Sequence, residues 1–205
     1  MKLTTRLVPI VVLLAGAGAL ARAEAQTIVT LGSGFTQPAG VTVAANGSVF
    51  VADQGNDAVK ELTDPSQQGP ITLVGSGFNG PGGVAVDGSG NVFVADTSNS
   101  AVEEIPVAGG AVIVKELGSG FGFGEPNGVA IDKHGNLFFM DGRAGKIYEA
   151  PAAGGYASAT LIGSGFNNPF ALAVDAESNV FVSDSGTESV KELLAAGGYS
   201  TVVTI

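Results

Sequence analysis

The chain has 205 residues, a formal net charge of −10 and no cysteine, with 45% hydrophobic and 14% charged residues. That balance excludes a disordered chain, and the lack of cysteine excludes disulfides and thiolate metal sites. An acidic surface repels phosphate backbones, so nucleic acid is not an expected partner.

Lys2 and Arg6 open the chain, residues 7–20 form an apolar run without charge, and residues 21–23 and 23–25 both read as small-x-small cleavage sites. Residues 1–25 therefore read as a secretory signal peptide rather than a membrane anchor, because polar sequence follows at once. The expected location is periplasmic or secreted, with no membrane insertion of the mature chain. Losing this segment removes Lys2, Arg6, Arg22 and Glu24 and takes the net charge to −12.

Residues 27–31 read as one short strand, and after it the tetrapeptide Gly-Ser-Gly-Phe appears four times, at residues 32–35, 75–78, 118–121 and 163–166. A period in the forties marks a repeat architecture. The units run over about 32–74, 75–117, 118–162 and 163–205. Unit three carries two extra residues, so Phe123 rather than Phe121 keeps the Phe-x-x-Pro spacing of Phe35, Phe78 and Phe166.

In unit two, strands are expected over residues 83–86, 91–95, 101–105 and 111–117, with a tight turn at residues 87–90 whose glycines take positive φ. The first two strands are apolar on both faces and must be covered on both. The third mixes in charge, as in Val59-Lys60-Glu61-Leu62. Such sheets cannot fold singly. Stacked around an axis they cover one another, which makes an all-β propeller of four four-stranded blades. The glycines of the repeat let the chain cross from an outer strand to the next inner strand. The phenylalanine is expected to fill the gap between blades, and the proline to fix the entry into the inner strand, where it has no ladder partner to lose. Small inner residues such as Ala85, Ala130 and Ala173 suggest the curvature of a wheel of about six blades. Four blades then leave two apolar faces open, one near Val41 and Val43, the other near Val180 and Val182.

The phrase Phe-x-x-Pro-x-Gly-Val-Ala-Val-Asp, followed by Gly-Asn-Val-Phe-Val-Ala-Asp, resembles the NHL repeat from about Gly32 to the C-terminus. The resemblance implies an exported bacterial β-propeller. It also brings a range of functions: extracytoplasmic sensor domains, protein-interaction and RNA-binding modules, and an amidating lyase with metal-binding histidines. Family members often place a basic residue shortly after the Asp that ends the second strand. That position holds Ala58, Ala101, Lys146 and Ser189, so the pair is expected at Asp141–Lys146 alone.

Asp53, Asp96, Asp141 and Asp184 end the second strands and are expected to accept hydrogen bonds from their own turns. Asp87, Asp132 and Asp175 sit at the first hairpin turn, in a sequence too short of spaced acids for a calcium loop. His134, the single histidine, lies in such a turn and cannot build a zinc centre alone. Unit three differs from the others. Glu125, Asn127, Asp141 and Arg143 are its candidate ligand-binding residues, since crossovers and the loops after second strands share one face. No cofactor, catalytic residue or metal site is implied. The leading expectation is a non-catalytic module that binds a protein, peptide or glycan. The alternatives are a metal-dependent hydrolase or lyase, and a scaffold completed by self-association.

Overall fold

The apolar segments between the turns of the repeat become sixteen short strands in the computed structural model, which describes residues 30–64, 69–106, 115–117 and 124–205. The expected signal peptide, most of the strand expected at residues 27–31, and Phe121 and Phe123 lie outside these residues. Thr30 and Leu31 are not in a strand.

Blade 1 contains β1 (Pro38–Val43), β2 (Val49–Asp53), β3 (Ala58–Leu62) and β4 (Ile71–Ser76). Blade 2 contains β5 (Pro81–Val86), β6 (Val92–Asp96), β7 (Ala101–Ile105) and β8 (Lys115–Leu117). Blade 3 contains β9 (Val129–Ile131), β10 (Leu137–Asp141), β11 (Lys146–Ala150) and β12 (Thr160–Ser164). Blade 4 contains β13 (Pro169–Val174), β14 (Val180–Asp184), β15 (Ser189–Leu193) and β16 (Val202–Thr204). Within each blade the strands pair in chain order and antiparallel. The inner strands β1, β5, β9 and β13 line a common channel.

The two glycines of the repeated tetrapeptide have different tasks. Gly34, Gly77 and Gly165 sit at φ of 85°, 96° and 81°, so they turn the chain where a side chain would be strained. Gly75 leaves room for the ring that follows: a Cβ there would lie 2.7 Å from Ile105 Cδ1 and 3.0 Å from Phe78. Phe78 is thereby buried between blades 1 and 2, with Phe50, Ala52, Val59, Val92, Val94 and Ile105. Phe166 fills the same place between blades 3 and 4. Phe35 packs instead on the outward side of blade 1, against Val49, Val51 and Leu62. The prolines do have ladder partners. Pro38, Pro81 and Pro169 stand opposite Asp53, Asp96 and Asp184, and a bulge follows each one.

At the other end of the blades the first hairpin turns are built from side-chain bonds. Asp87 Oδ1 accepts the N–H groups of Ser89 and Asn91, and its Oδ2 accepts Asn91 Nδ2 at 2.8 Å. Asp132 and Asp175 repeat this with Asn136 and Asn179. The Asp-x-x-x-Asn spacing is thus a local turn device. Two tyrosines lock neighbouring blades at this end. Tyr156 meets Phe93 edge-on at 5.1 Å and donates to the Gly135 carbonyl, while Tyr199 meets Phe138 at 6.1 Å and donates to the Ser178 carbonyl. Burial, first of all, pushes both phenols up to about 12.

One expectation about the open faces is corrected here. Val41 and Val43 are exposed as expected. Val180 and Val182 are fully buried against Phe138, Met140 and Ile147 of blade 3. The uncovered side of blade 4 is the opposite one, which carries Phe181, Ser183 and Val190. Both sides of that strand are apolar, so its alternation gives no direction of stacking.

Candidate functional site

The loops after the second strands and the crossovers between blades meet at one end of the channel. In blades 1, 2 and 4 the second strand ends in a fully buried aspartate followed by a 3-10 turn: Gln54–Asn56, Thr97–Asn99 and Ser185–Thr187. Each aspartate holds the crossover entering its own blade. Asp53 Oδ1 accepts the Thr36 N–H at 2.6 Å, Asp96 Oδ1 that of Asn79 at 2.7 Å, and Asp184 Oδ1 that of Asn167 at 2.8 Å. Asn56 and Asn99 donate to the other oxygen of Asp53 and Asp96, both at 2.7 Å.

Lysines complete this arrangement in two blades. Lys60 Nζ lies 2.5 Å from Asp53 Oδ2 and 5.5 Å from the centre of the Phe35 ring. Lys191 pairs with Asp184 and stands 5.3 Å above Phe166. Burial opposes ionisation of Asp53 and Asp184. Asn56 and Lys60, and Lys191 and Thr187, outweigh it and hold both carboxyls below their usual range. Asp96 has no lysine at the matching place, which holds Glu103, and burial pushes its carboxyl up. The expected pair Asp141–Lys146 is therefore corrected. These two are opposite each other in register, but among the described residues no ion pair joins them. The pairing instead runs diagonally, from the strand end to the second residue beyond the directly opposed one, where a long lysine reaches the carboxylate.

Blade 3 is built differently, and it brings the four candidates together. Asp141 is buried and accepts the Ala144 N–H at 2.8 Å, within its own turn. Backbone bonds tie the loop to the crossover in every blade (Gly55 to Thr36, Ser98 to Asn79, Gly186 to Asn167), but in blade 3, where Gly142 N–H donates to the Glu125 carbonyl and Arg143 N–H to the Gly124 carbonyl, Asp141 adds no bond to the crossover. Gly142 is needed there, since a Cβ would lie 2.9 Å from both the Asn127 amide and the Glu125 carbonyl. Glu125 and Arg143 are exposed, and Asn127 is half-buried at the channel mouth. Across the blade boundary, Thr97 Oγ1 donates to the Pro126 carbonyl at 2.8 Å and fixes this crossover from blade 2.

The channel mouth is a cavity of about 370 Å³. Its side chains include Gln54, Asn127, Val41 and Phe170, and the backbones of Gly82, Gly83 and Gly128 form its walls. No charged residue lines it. Phe170 is 67% exposed. The residues expected at this face include neither Phe170 nor Gln54. The available signal for Gln54 was its place directly after the Asp that ends the second strand. His134 sits in the β9–β10 turn, at the opposite end of blade 3, where its N–H donates to Asp132.

An NHL-repeat family model matches residues 78–103, which run from the wedge residue Phe78 through β5 and β6 into β7. The chain is a β-propeller with an NHL repeat. Solved structures agree on this fold. Virginiamycin B lyase from Staphylococcus aureus is similar with a TM-score of 0.66 at 17% identity, over 82% of this chain and 55% of that one. A related structure of that lyase is a catalytically inactive histidine-to-alanine variant with quinupristin. A chain of a nidogen/laminin complex is similar with a TM-score of 0.71 at 19% identity, over 82% of this propeller and 64% of that chain. A protein of unknown function from Bacteroides thetaiotaomicron gives 0.60 at 23% identity, over 78% and 42%. The propeller thus spans between two fifths and two thirds of the length of these structures. No curated protein matches its sequence.

Proposed function

We infer that the protein is an exported NHL-type propeller that binds a protein, peptide or glycan at its loop face without catalysing a reaction. The observation that carries this reading is the channel mouth. Its volume falls in the range of binding sites, about 300–1,000 Å³. It offers two amide side chains, an exposed aromatic ring and backbone walls, and no acid, base or nucleophile. Export rests on residues 1–25. A propeller module of this kind fits the nidogen/laminin likeness, in which the solved assembly is a protein complex.

The second reading, a metal-dependent hydrolase or lyase, is favoured by the likeness to virginiamycin B lyase. Against it, no group of three or more histidines and acids among the described residues is placed to hold a metal ion. The single histidine also lies at the end of the blade away from the mouth.

Glycan and peptide arrays probed with the protein test the binding reading. Any ligand found is then measured against two variants. Arg143→Ala, at the loop face, is expected to weaken binding about tenfold or more, about 1.4 kcal/mol, with an unchanged melting temperature. Lys133→Ala, in the turn at the other end, is expected to leave binding unchanged. Equal effects of the two would overturn the loop-face reading.

A further inference from the structure

Each blade has a front and a back, and the packing uses them in a fixed order. The back of blade 1, with Phe50, Ala52 and Val59, meets the front of blade 2, with Val84, Val92, Val94 and Ile105. Blades 2 and 3 meet in the same way, and so do blades 3 and 4. Two faces of the series remain. On the front of blade 1 the inner-strand Val41 and Val43 are 65% and 64% exposed, where Val84, which matches Val41, is 5% exposed, while Val49, Val51 and Leu62 of the same face are buried with Phe35 and Ile71. On the back of blade 4, Val190 is 40% exposed, where Val59, Val102 and Ile147 are fully buried. Apolar sheet faces of this kind are association surfaces.

We propose that these two faces are the two halves of one more blade-to-blade interface, formed between copies of this chain: the front of blade 1 of one copy docks on the back of blade 4 of another. The occupant follows from continuity with an interface the fold already makes three times. Its apolar residues sit at the positions that face each other inside the chain. The interface of blades 1 and 2 adds a polar contact whose counterparts are present at the two free faces. Asp57, the left-handed residue after the 3-10 turn of blade 1, accepts the N–H of Gly80 in the crossover to blade 2 at 2.8 Å. Glu188 holds that position in blade 4, and Gln37 holds the position of Gly80 before β1. Both are exposed. Glu188 of one copy is therefore set to accept the Gln37 N–H of the next. The contact is heterologous and four-bladed copies at about six blades per turn do not close into one ring, so copies extend as a chain that steps along the channel axis. It is independent of any ligand at the loop face.

One position sets the strength of this contact. The inner strands approach so closely that a Cβ at Gly40 would lie 2.9 Å from the Gly82 carbonyl and the Gly83 Cα. At Gly83 it would lie 2.7 Å from the Asn127 carbonyl, and at Gly128 3.2 Å from the Leu172 nitrogen. Blade 4 has Ala171 at this place. Its methyl group holds the next inner strand back, so docking between copies is looser than docking within one chain. Ala171→Gly is expected to tighten association several-fold.

The test uses light scattering on the protein from Gln26 onward, which keeps the whole compact unit Leu31–Ile205. Wild type is expected to associate with rising concentration. Val43→Asp blocks the front face and Val190→Asp blocks the back, both at exposed positions that spare the blade cores. Each variant alone is expected to be a monomer with a sharp melt. An equimolar mixture of the two is expected to form dimers and stop there, because one free front meets one free back. A monomeric wild type at high micromolar concentration would overturn the proposal. So would a single variant that associates as wild type does, or a mixture that stays monomeric.

Discussion

Blades 2 and 3 share one pattern and differ at one end. In blade 2, Asp96 reaches out of its strand to hold Asn79 of the crossover, with Asn99 on its second oxygen. In blade 3, Asp141 keeps to its own turn, and backbone groups of Gly142 and Arg143 hold the crossover. The first arrangement uses up its polar side chains on structure. The second leaves Glu125 and Arg143 in solvent and Asn127 at the mouth. Both blades hold the crossover with backbone bonds, and what sets blade 3 apart is that its carboxylate adds no bond to the crossover.

Substitutions that separate the two blades follow in order of size. Phe78→Ala removes the wedge between blades 1 and 2 and is expected to cost about 3–5 kcal/mol in denaturant unfolding. Phe35, half-buried over Val49, Val51 and Leu62 rather than between two blades, costs less. An equal loss at Phe35 would show that the front of blade 1 is covered in solution. Asp184→Ala comes next, at about 2–3 kcal/mol, since it orphans the Asn167 N–H and leaves the partly exposed Lys191 without its carboxylate. Asp141→Ala, which gives up the Ala144 N–H, is expected to cost about 1 kcal/mol. If Asp141→Ala cost as much as Asp184→Ala, the contrast between the blades would collapse.

Acid should divide the blades as well. Asp53 and Asp184 have lowered pKa values in the fold. Their contribution is complete above the unfolded carboxyl range, about 4, and is lost as pH falls through their lowered folded values. Asp96 is raised. It favours the fold most below that range, and this contribution declines as pH rises through its own pKa. Melting temperatures from pH 7 down to 3 should fall less steeply for Asp184→Asn than for wild type. For Asp96→Asn the fall should be as steep as in wild type or steeper. The smallest effect belongs to Arg143→Ala, within about 0.5 kcal/mol of wild type in stability. A larger loss would make Arg143 a structural residue.

The fold was legible because each unit repeats strands apolar on both faces between turn residues, and stacking is what covers such sheets. The roles of the glycines and of Phe78 and Phe166 followed from their spacing. Which face of blade 4 stays open did not, because Val180 and Val182 alternate with Phe181 in a strand that is apolar on both sides. The lysine pairs escaped because the expectation looked at the residue opposite each aspartate, Ala58 or Ser189, whereas Lys60 and Lys191 reach across the diagonal. The difference of unit three was visible in Asn127 and Arg143. Gln54 and Phe170 at the mouth became apparent only when the loop after β2 and the starts of four separate inner strands were brought to one point.

The most direct measurement of the central claim is amide hydrogen exchange of the protein with and without a ligand selected on the arrays. Binding at the loop face of blade 3 predicts slowed exchange in residues 124–129 and 142–145, with residues 170–172 at the mouth. The turns at residues 87–91, 132–136 and 175–179 should be unchanged. Protection confined to those turns would place the ligand at the other end of the propeller and contradict the account.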